Sequence, residues 1–128
     1  MKCSGSGGDR MRKYKIAQKI EAVFKKMSKE YSWDNSPHIA DTRIYFNNQA
    51  WAWQNGKKYI IKDIKASDYT EYANDDTITC TFEGAVYEAL NYGDRNRWKL
   101  REELNIVLRE CGYYFELGNA WNFSLYEI

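Results

Sequence analysis

Apolar residues in the first quarter of the chain recur at steps of three and four. Residues 11–31 follow this period, with Ile16 and Ile20 among the apolar positions, and neither Gly nor Pro interrupts them. The spacing predicts an amphipathic helix whose remaining positions, mostly lysine, form a basic outer face. Because Pro37 cannot continue a helix, we predict that this one ends near Ser32.

The period then changes to two, which is typical of strands. The dipeptide Asn55-Gly56 separates two such segments and is the strongest short hairpin signal, because both central residues of a type I′ turn take positive φ. A two-residue turn fixes the register and places Trp51 opposite Ile60. We predict Trp51 in or near the core, whereas Trp53, nearer the turn, is either buried or exposed.

The other alternating and helical segments complete an α+β pattern, in the order α-β-β-β-β-α-α-β-β. Tight hairpins predict a mostly antiparallel sheet of about six strands, with helices covering one face. The remaining predicted strands are 42–47, 77–82 (its threonines facing solvent), 113–117 and 120–128, the last two joined by a turn at Gly118-Asn119, and the remaining predicted helices are 84–92 and 97–111.

Composition narrows the class of protein. The 128 residues suffice for one domain, and 16% aromatic residues argue against a disordered chain. Residues 1–10, rich in Gly and Ser, are predicted to be a flexible leader or tag, and 11–128 a single α+β domain. No signal peptide and no apolar run of about 20 residues are present, so we expect a cytoplasmic protein of a bacterial host.

Cys80 and Cys111 fall on apolar phases and are predicted to be small buried side chains rather than disulfide or zinc ligands.

Charge is unevenly distributed along the chain. Residues 1–66 contain fourteen Lys/Arg and six Asp/Glu, whereas residues 67–128 contain five and twelve. This asymmetry predicts one basic and one acidic surface, or two halves that attract each other.

Residues 66–76, here called the acidic connector, contain four carboxylates, two tyrosines and no Lys or Arg. Asp68 and Glu71, three residues apart, are typical of a capping pair and predict one short helical turn.

The acidic connector is the first candidate binding site. Its carboxylates are suited to meet basic groups of a partner, and its tyrosines offer large contact area together with a hydroxyl. The spacing of the acids lacks the Gly and the distal Glu of a calcium loop, and many such loops are merely solvated. The candidate partner-binding residues are Asp68, Tyr69, Glu71, Tyr72, Asp75 and Asp76.

The basic helix and the first hairpin suggest an alternative site for nucleic acid. Lysines would contact phosphates and an exposed Trp would stack on bases, although lysine also commonly fills a solvated helix face. No helix-turn-helix or RNA-recognition signature supports this alternative. The residues proposed for it are Lys19, Lys26, Trp53, Lys57 and Lys58.

His38, the only histidine, leaves one candidate general base. A small enzyme using His38 and carboxylates is therefore a further alternative, but a loop position after Pro37 favours a surface residue without catalytic function. No phosphate-binding loop follows a strand, and no cofactor or metal site is predicted. We expect a non-enzymatic binding protein.

Two segments of the later half carry a resemblance to a known class. They are "IKASDYTEYANDDTITCTFEGAVYEALNYG" and "CGYYFELGNAWNFSLYEI". Together they resemble small accessory proteins of Gram-positive phages and conjugative elements, a class that includes anti-CRISPR and anti-restriction inhibitors. Such inhibitors typically occupy a nuclease surface, often with acidic groups in place of nucleic-acid phosphate. The resemblance implies a mobile-element inhibitor of a host defence system, with a CRISPR effector nuclease as candidate partner.

Overall fold

The computed structural model describes residues 8–31, 42–54, 56–82, 95–119 and 121–128. Two helices and six strands lie in these ranges, and a short 3-10 turn at Ala66–Asp68 lies between the third and fourth strands. The elements are α1 (Gly8–Tyr31), β1 (Thr42–Phe46), β2 (Gln49–Gln54), β3 (Lys57–Lys62), β4 (Thr79–Phe82), α2 (Arg95–Glu110), β5 (Tyr113–Asn119) and β6 (Asn122–Glu127).

The six strands form one sheet in the order β3-β2-β1-β4-β6-β5. Every pairing in it is antiparallel. The predicted α+β class, the six strands and the antiparallel sheet are therefore confirmed. The predicted helix at 84–92 lies outside the described residues.

The main core lies between the helices and one face of the sheet, here called the helix face. Ile16, Ile20 and Phe24 of α1 are buried there against Ile44 and the neighbouring strands. The second helix adds its own apolar stripe, Leu100, Leu104 and Leu108. Both stripes follow the helical period that the sequence shows, so the prediction that helices cover one face is confirmed.

The first hairpin has the predicted register. Trp51 pairs with Ile60 and Trp53 with Lys58, and Gly56 in the turn has a φ of 77°. Both tryptophans are buried, with exposed fractions of 2% for Trp51 and 4% for Trp53. The prediction that Trp51 lies in or near the core is confirmed. Trp53, for which the sequence left both burial and exposure open, also lies in the core.

The second hairpin turns two residues later than predicted. Asn119 pairs with Asn122, so Gly118 and Asn119 belong to β5, and a register shift lies between Leu117 and Asn119. The prediction of a turn at Gly118-Asn119 is therefore wrong. The side chain of Asn119 instead supports the true turn, because its Oδ1 accepts a hydrogen bond of 2.9 Å from the backbone N–H of Trp121.

Two further predictions need correction. The first helix begins at Gly8, so residues 8–10, assigned to a flexible leader, are helical. Cys80 is a buried thiol as predicted, and its burial raises its pKa well above the ordinary value. Cys111 is buried but disulfide-bonded, so the prediction of a plain buried thiol at this position is wrong.

Candidate functional site

The acidic connector lies across the sheet face opposite the helices, here called the connector face. Side chains alternate between the two faces of a strand, so Tyr45 and Ala50 point away from the helix face that carries Ile44. Tyr45 and Ala50 form a second buried cluster with Ile64, which precedes the connector, and with Ala66, its first residue, and Ala73 of the connector packs against this cluster. The connector is thus packed against the sheet by its own apolar residues.

Two polar side chains of β6 hold the middle of the connector. The Nδ2 of Asn122 donates hydrogen bonds of 2.9 Å to the Thr70 hydroxyl and to the Glu71 carbonyl oxygen. The Ser124 hydroxyl donates one of 2.9 Å to the Tyr72 carbonyl oxygen. Asn122 and Ser124 are both buried, so these bonds form away from competing water and fix the backbone of 70–72.

The end of the connector is fixed by Asn74. Its backbone N–H donates to the Thr79 hydroxyl, and its Nδ2 donates to the Leu125 carbonyl oxygen, both over 2.9 Å. Thr79 also shares a hydrogen bond of 2.8 Å with Ser124. Thr79 is 1% exposed and Thr77 is 8% exposed. The prediction that these threonines face solvent is therefore wrong, because Thr79 is bound by Asn74 of the connector and the Thr77 hydroxyl donates to the Leu125 carbonyl oxygen.

The helical turn of the connector differs from the one predicted. It spans Ala66–Asp68, follows Lys65 as the capping residue, and has no side-chain capping bond. Asp68 and Glu71 therefore do not form the predicted capping pair. The turn is closed by the backbone N–H of Tyr69, which donates to the Ala66 carbonyl oxygen over 2.9 Å. Asp75 adds support, because its carboxylate accepts hydrogen bonds from both the backbone N–H and the hydroxyl of Ser67.

Both connector tyrosines are exposed, at 65% for Tyr69 and 62% for Tyr72. Tyr69 stacks on Tyr45 with ring centroids 6.4 Å apart, and the Arg43 guanidinium lies 5.9 Å from the Tyr69 ring. Tyr72 has a φ of 62°, in the left-handed region that side chains other than Gly, Asn and Asp rarely adopt. Such strain, of the order of 1–3 kcal/mol, persists only where surrounding bonds impose it.

The four carboxylates of the acidic connector are all exposed. None of them forms an ion pair with any residue of the described part of the chain. The lysines on the helix side of the sheet instead pair with acids on that side. Lys25 of α1 and Lys58 of β3 bind Glu21, each at 2.8 Å, and Lys26 of α1 binds Glu103 at 3.2 Å. The sheet separates the basic helix from the acidic connector, which leaves the negative surface open to solvent.

The predicted partner-binding residues are therefore brought together, with one difference in role. Asp68, Glu71 and Asp76 present exposed carboxylates, whereas Asp75 is also an internal acceptor for Ser67. The sequence reading missed Arg43, Asn122 and Ser124, which position the connector tyrosines and backbone. The alternation of β1 could have indicated the position of Arg43. Arg43 lies two residues before Tyr45, so both side chains are on the face opposite that of Ile44.

The residues proposed for nucleic-acid binding do not form one exposed surface. Trp53 is buried, so its ring is not available to stack on bases. The Lys58 ammonium is bound to Glu21 and lies 3.8 Å from the Trp51 ring centroid and 5.5 Å from that of Trp53. Of the remaining lysines, Lys26 is paired with Glu103, Lys19 is half-buried and Lys57 is exposed. The predicted combination of lysines with an exposed Trp53 is therefore wrong.

A cleft of approximately 620 Å³ opens beside the connector. Arg43 is the only charged side chain in its described lining, which leaves no carboxylate there for acid–base chemistry. The described residues that line the cleft are Thr42, Arg43, Ala52, Trp53, Gln54, Tyr59, Ile60, Ile61, Thr81, Phe82 and Trp121. His38, the candidate general base, lies outside the described residues.

Clusters of metal ligands and membrane-spanning helices are both absent from the part of the chain that the structure describes. No three His, Cys, Asp or Glu side chains gather there as a metal site would require. Neither described helix combines the length and apolar character needed to cross a membrane.

The chain was compared with protein families, curated proteins and solved structures. No family model matches it, and neither a curated protein nor a solved structure does.

Proposed function

We propose that the protein is a non-enzymatic binding protein whose acidic connector occupies a basic surface of another protein. The observation that supports this most is the exposure of four carboxylates that have no ion-pair partner among the described residues. Carboxylates already paired with α1 would have to break those pairs before binding. Here the negative charge is available without that cost, and opposite potentials steer association.

The fixed backbone of the connector supports the same proposal. Hydrogen bonds from Asn122, Ser124 and Asn74 hold the segment in one conformation before any partner arrives. A preorganised surface loses less conformational entropy on binding than a mobile loop. Tyr69 and Tyr72 then add aromatic contact area between the charges, a composition that is common at protein interfaces.

The class of partner follows from the resemblance of the later half to mobile-element accessory proteins. A nuclease surface that normally binds nucleic-acid phosphates is basic, and exposed carboxylates are complementary to it. We therefore propose an inhibitor of a host defence system, of the anti-CRISPR type, that covers such a surface on an effector nuclease.

The test compares two variants with the same change in net charge. Asp68→Lys/Glu71→Lys reverses two connector charges, whereas Glu102→Lys/Glu127→Lys reverses two exposed acids on α2 and β6. Asp75 is left intact because it holds Ser67. Immobilised wild type is expected to capture a protein from bacterial lysate after nuclease treatment, and the purified partner is expected to bind the connector variant at least about tenfold more weakly.

The matched variant decides the outcome. If Glu102→Lys/Glu127→Lys binds as weakly as the connector variant, net charge rather than the connector controls binding and the proposal is wrong. Capture that disappears when the lysate is treated with nuclease would indicate a nucleic-acid ligand and would also contradict it. For the nuclease class, inhibition of DNA cleavage by purified CRISPR effector nucleases is expected from wild type and not from the connector variant.

A further inference from the structure

The cleft beside the connector lies over a row of paired residues that crosses four strands. The row consists of Tyr59 of β3, Ala52 of β2, Arg43 of β1 and Thr81 of β4. Ala52 and Thr81 are small side chains, which leaves space above the sheet on both sides of Arg43. All four residues line the cleft, whose volume is approximately 620 Å³. Small-ligand sites typically have volumes of roughly 300–1,000 Å³.

Exposed apolar side chains are concentrated at this cleft. Tyr59 is 50% exposed, and Ile60 and Trp121 are each 57% exposed. All three line the cleft, so it contains three of the nine large apolar side chains that are exposed in the described part of the chain. Apolar surface gathered in a concave site is a feature of ligand-binding sites rather than of ordinary protein surface.

The charge of Arg43 has no counter-charge within the described residues. Its side chain is half-buried, and no carboxylate of the described part of the chain forms an ion pair with it. One N–H of the guanidinium donates to the Tyr45 hydroxyl over 3.1 Å, and the Tyr69 ring lies 5.9 Å away. A guanidinium has five N–H donors, so most of the fork is open to an anion. Partial burial of an unpaired charge is unfavourable, and an anionic group in the cleft would offset that penalty.

We propose that the cleft binds a small aromatic monocarboxylate, whose carboxylate contacts Arg43 and whose ring packs against Tyr59 and Trp121. A planar carboxylate matches the guanidinium fork with two parallel hydrogen bonds. Aromatic side chains pack on a ligand ring by offset stacking or edge-to-face contact. The site is distinct from the acidic connector and does not depend on the function proposed for it.

The single positive charge of the lining selects a singly charged ligand. A phosphate monoester carries nearly two negative charges at neutral pH, and Arg43 balances only one of them. The exposed carboxylates of the connector lie on the same face of the sheet and disfavour the second charge. None of these carboxylates lines the cleft, and salt at about 0.1 M screens exposed charges over about 10 Å. One carboxylate in direct contact with Arg43 is therefore favoured.

The first experiment titrates the nitrogen-15-labelled full chain with 2-naphthoate and follows chemical shifts by NMR. The indole N–H of Trp121 should shift, whereas that of Trp51, buried on the helix face, is the internal control. We expect saturation with a Kd of about 1 mM or tighter. Uncharged 2-naphthamide and doubly charged 2-naphthyl phosphate should each bind at least about fivefold more weakly. No saturable shift up to about 10 mM, or equal binding of the carboxylate and the amide, would overturn the proposal.

The second experiment compares two arginine variants with the same change in net charge. Arg43→Gln removes the contact proposed for the carboxylate. Arg101→Gln is the matched control on α2, because the Arg101 guanidinium also lies near an aromatic ring, 5.8 Å from that of Phe115. We expect Arg43→Gln to weaken binding of 2-naphthoate at least about tenfold and Arg101→Gln to change it by less than about twofold. Equal losses would show that net charge alone controls binding and would reject the site.

A third comparison tests the aromatic part of the ligand. Tyr59 is exposed, so Tyr59→Ala should fold normally, which circular dichroism confirms, and should bind 2-naphthoate about threefold or more weakly. Octanoate, an aliphatic monocarboxylate, should bind wild type more weakly than 2-naphthoate does. Unchanged binding by Tyr59→Ala, or octanoate binding as tight as that of 2-naphthoate, would reject an aromatic ligand.

Discussion

The guanidinium of Arg12, near the start of α1, donates a hydrogen bond of 2.6 Å to the carbonyl oxygen of Cys111. It also lies 4.7 Å from the centroid of the Tyr113 ring. The last carbonyl groups of a helix have no partner within the helix, and a positive charge near them is favourable. Arg12 thus connects α1 to the end of α2 and to the first residue of β5.

Replacement of this arginine should cost more stability than the loss of an ordinary surface charge. We expect Arg12→Ala to lower the free energy of unfolding by about 1–3 kcal/mol, since a charged hydrogen bond and aromatic packing are both lost. Urea denaturation measures this. Lys15→Ala, at an exposed position on the same helix, should change stability by less than about 0.5 kcal/mol. Equal losses in the two variants would contradict the role assigned to Arg12.

A second prediction concerns the pH dependence of stability through Glu21. Burial alone raises the pKa of this carboxyl, but hydrogen bonds and charges from Lys25 and Lys58 outweigh burial and bring the pKa below its ordinary value of 4.5. A carboxyl with a lowered folded pKa stabilises the fold above its ordinary pKa. That contribution is lost as the pH falls through the folded pKa.

Glu21→Gln should therefore be less stable than wild type at neutral pH, by about 1–2 kcal/mol. The difference should shrink as the pH is lowered below 4.5, because wild type then loses the same charge. Urea unfolding at a series of pH values measures both effects. Glu103→Gln, which removes the more exposed pair with Lys26, should cost less than about 0.5 kcal/mol. A difference between Glu21→Gln and wild type that persists unchanged into acid would reject this account.

Local signals in the sequence predicted the apolar stripes of the two helices and the register of the first hairpin, but not which face of the sheet the helices cover. Asn55-Gly56 determines a two-residue turn, and that turn alone sets the pairing of Trp51 with Ile60. The same kind of signal failed at Gly118, where the glycine is required by a residue distant in sequence rather than by a turn. A Cβ at Gly118 would lie 2.6 Å from the Cβ of Tyr72.

The connector could be recognised from the sequence, but its packing could not. Its charge and its two tyrosines are visible in composition alone. The burial of Thr77 and Thr79 is not, because alternation in a strand indicates only that one face is apolar. Whether the other face meets water or another segment depends on long-range hydrogen bonds such as those of Asn74 with Leu125 and of Thr79 with Ser124.

The close approach at Gly118 leads to a third prediction. Besides the contact with Tyr72, a Cβ at this position would lie 2.7 Å from the Oδ1 of Asn122, which anchors the connector. We expect Gly118→Ala to lower stability by about 1–3 kcal/mol through overpacking. Hydrogen exchange should show that amides of residues 70–73 lose protection, whereas those of the β2–β3 hairpin serve as the internal control. Uniform loss of protection across both regions would contradict a local effect on the connector.

The last prediction separates strain from contact area at the two exposed tyrosines. Tyr69 and Tyr72 have similar exposure, but the φ of Tyr69 is −126° whereas that of Tyr72 is 62°. Asn tolerates the left-handed region better than Tyr does. Tyr72→Asn should therefore raise the free energy of unfolding by about 0.5–1 kcal/mol. Tyr69→Asn relieves no strain and loses the stacking on Tyr45, so this variant should have a lower free energy of unfolding than wild type.

The same two variants also test whether Tyr69 and Tyr72 contact a partner. If the connector is the binding surface, both substitutions remove aromatic contact area and both should weaken capture of the partner by the immobilised protein. Tyr72→Asn would then be more stable and less active, which is the relation expected where strain is retained for function. A Tyr72→Asn variant that is no more stable than Tyr69→Asn would show that the left-handed backbone carries no strain. Unchanged capture by both variants would remove the tyrosines from the interface.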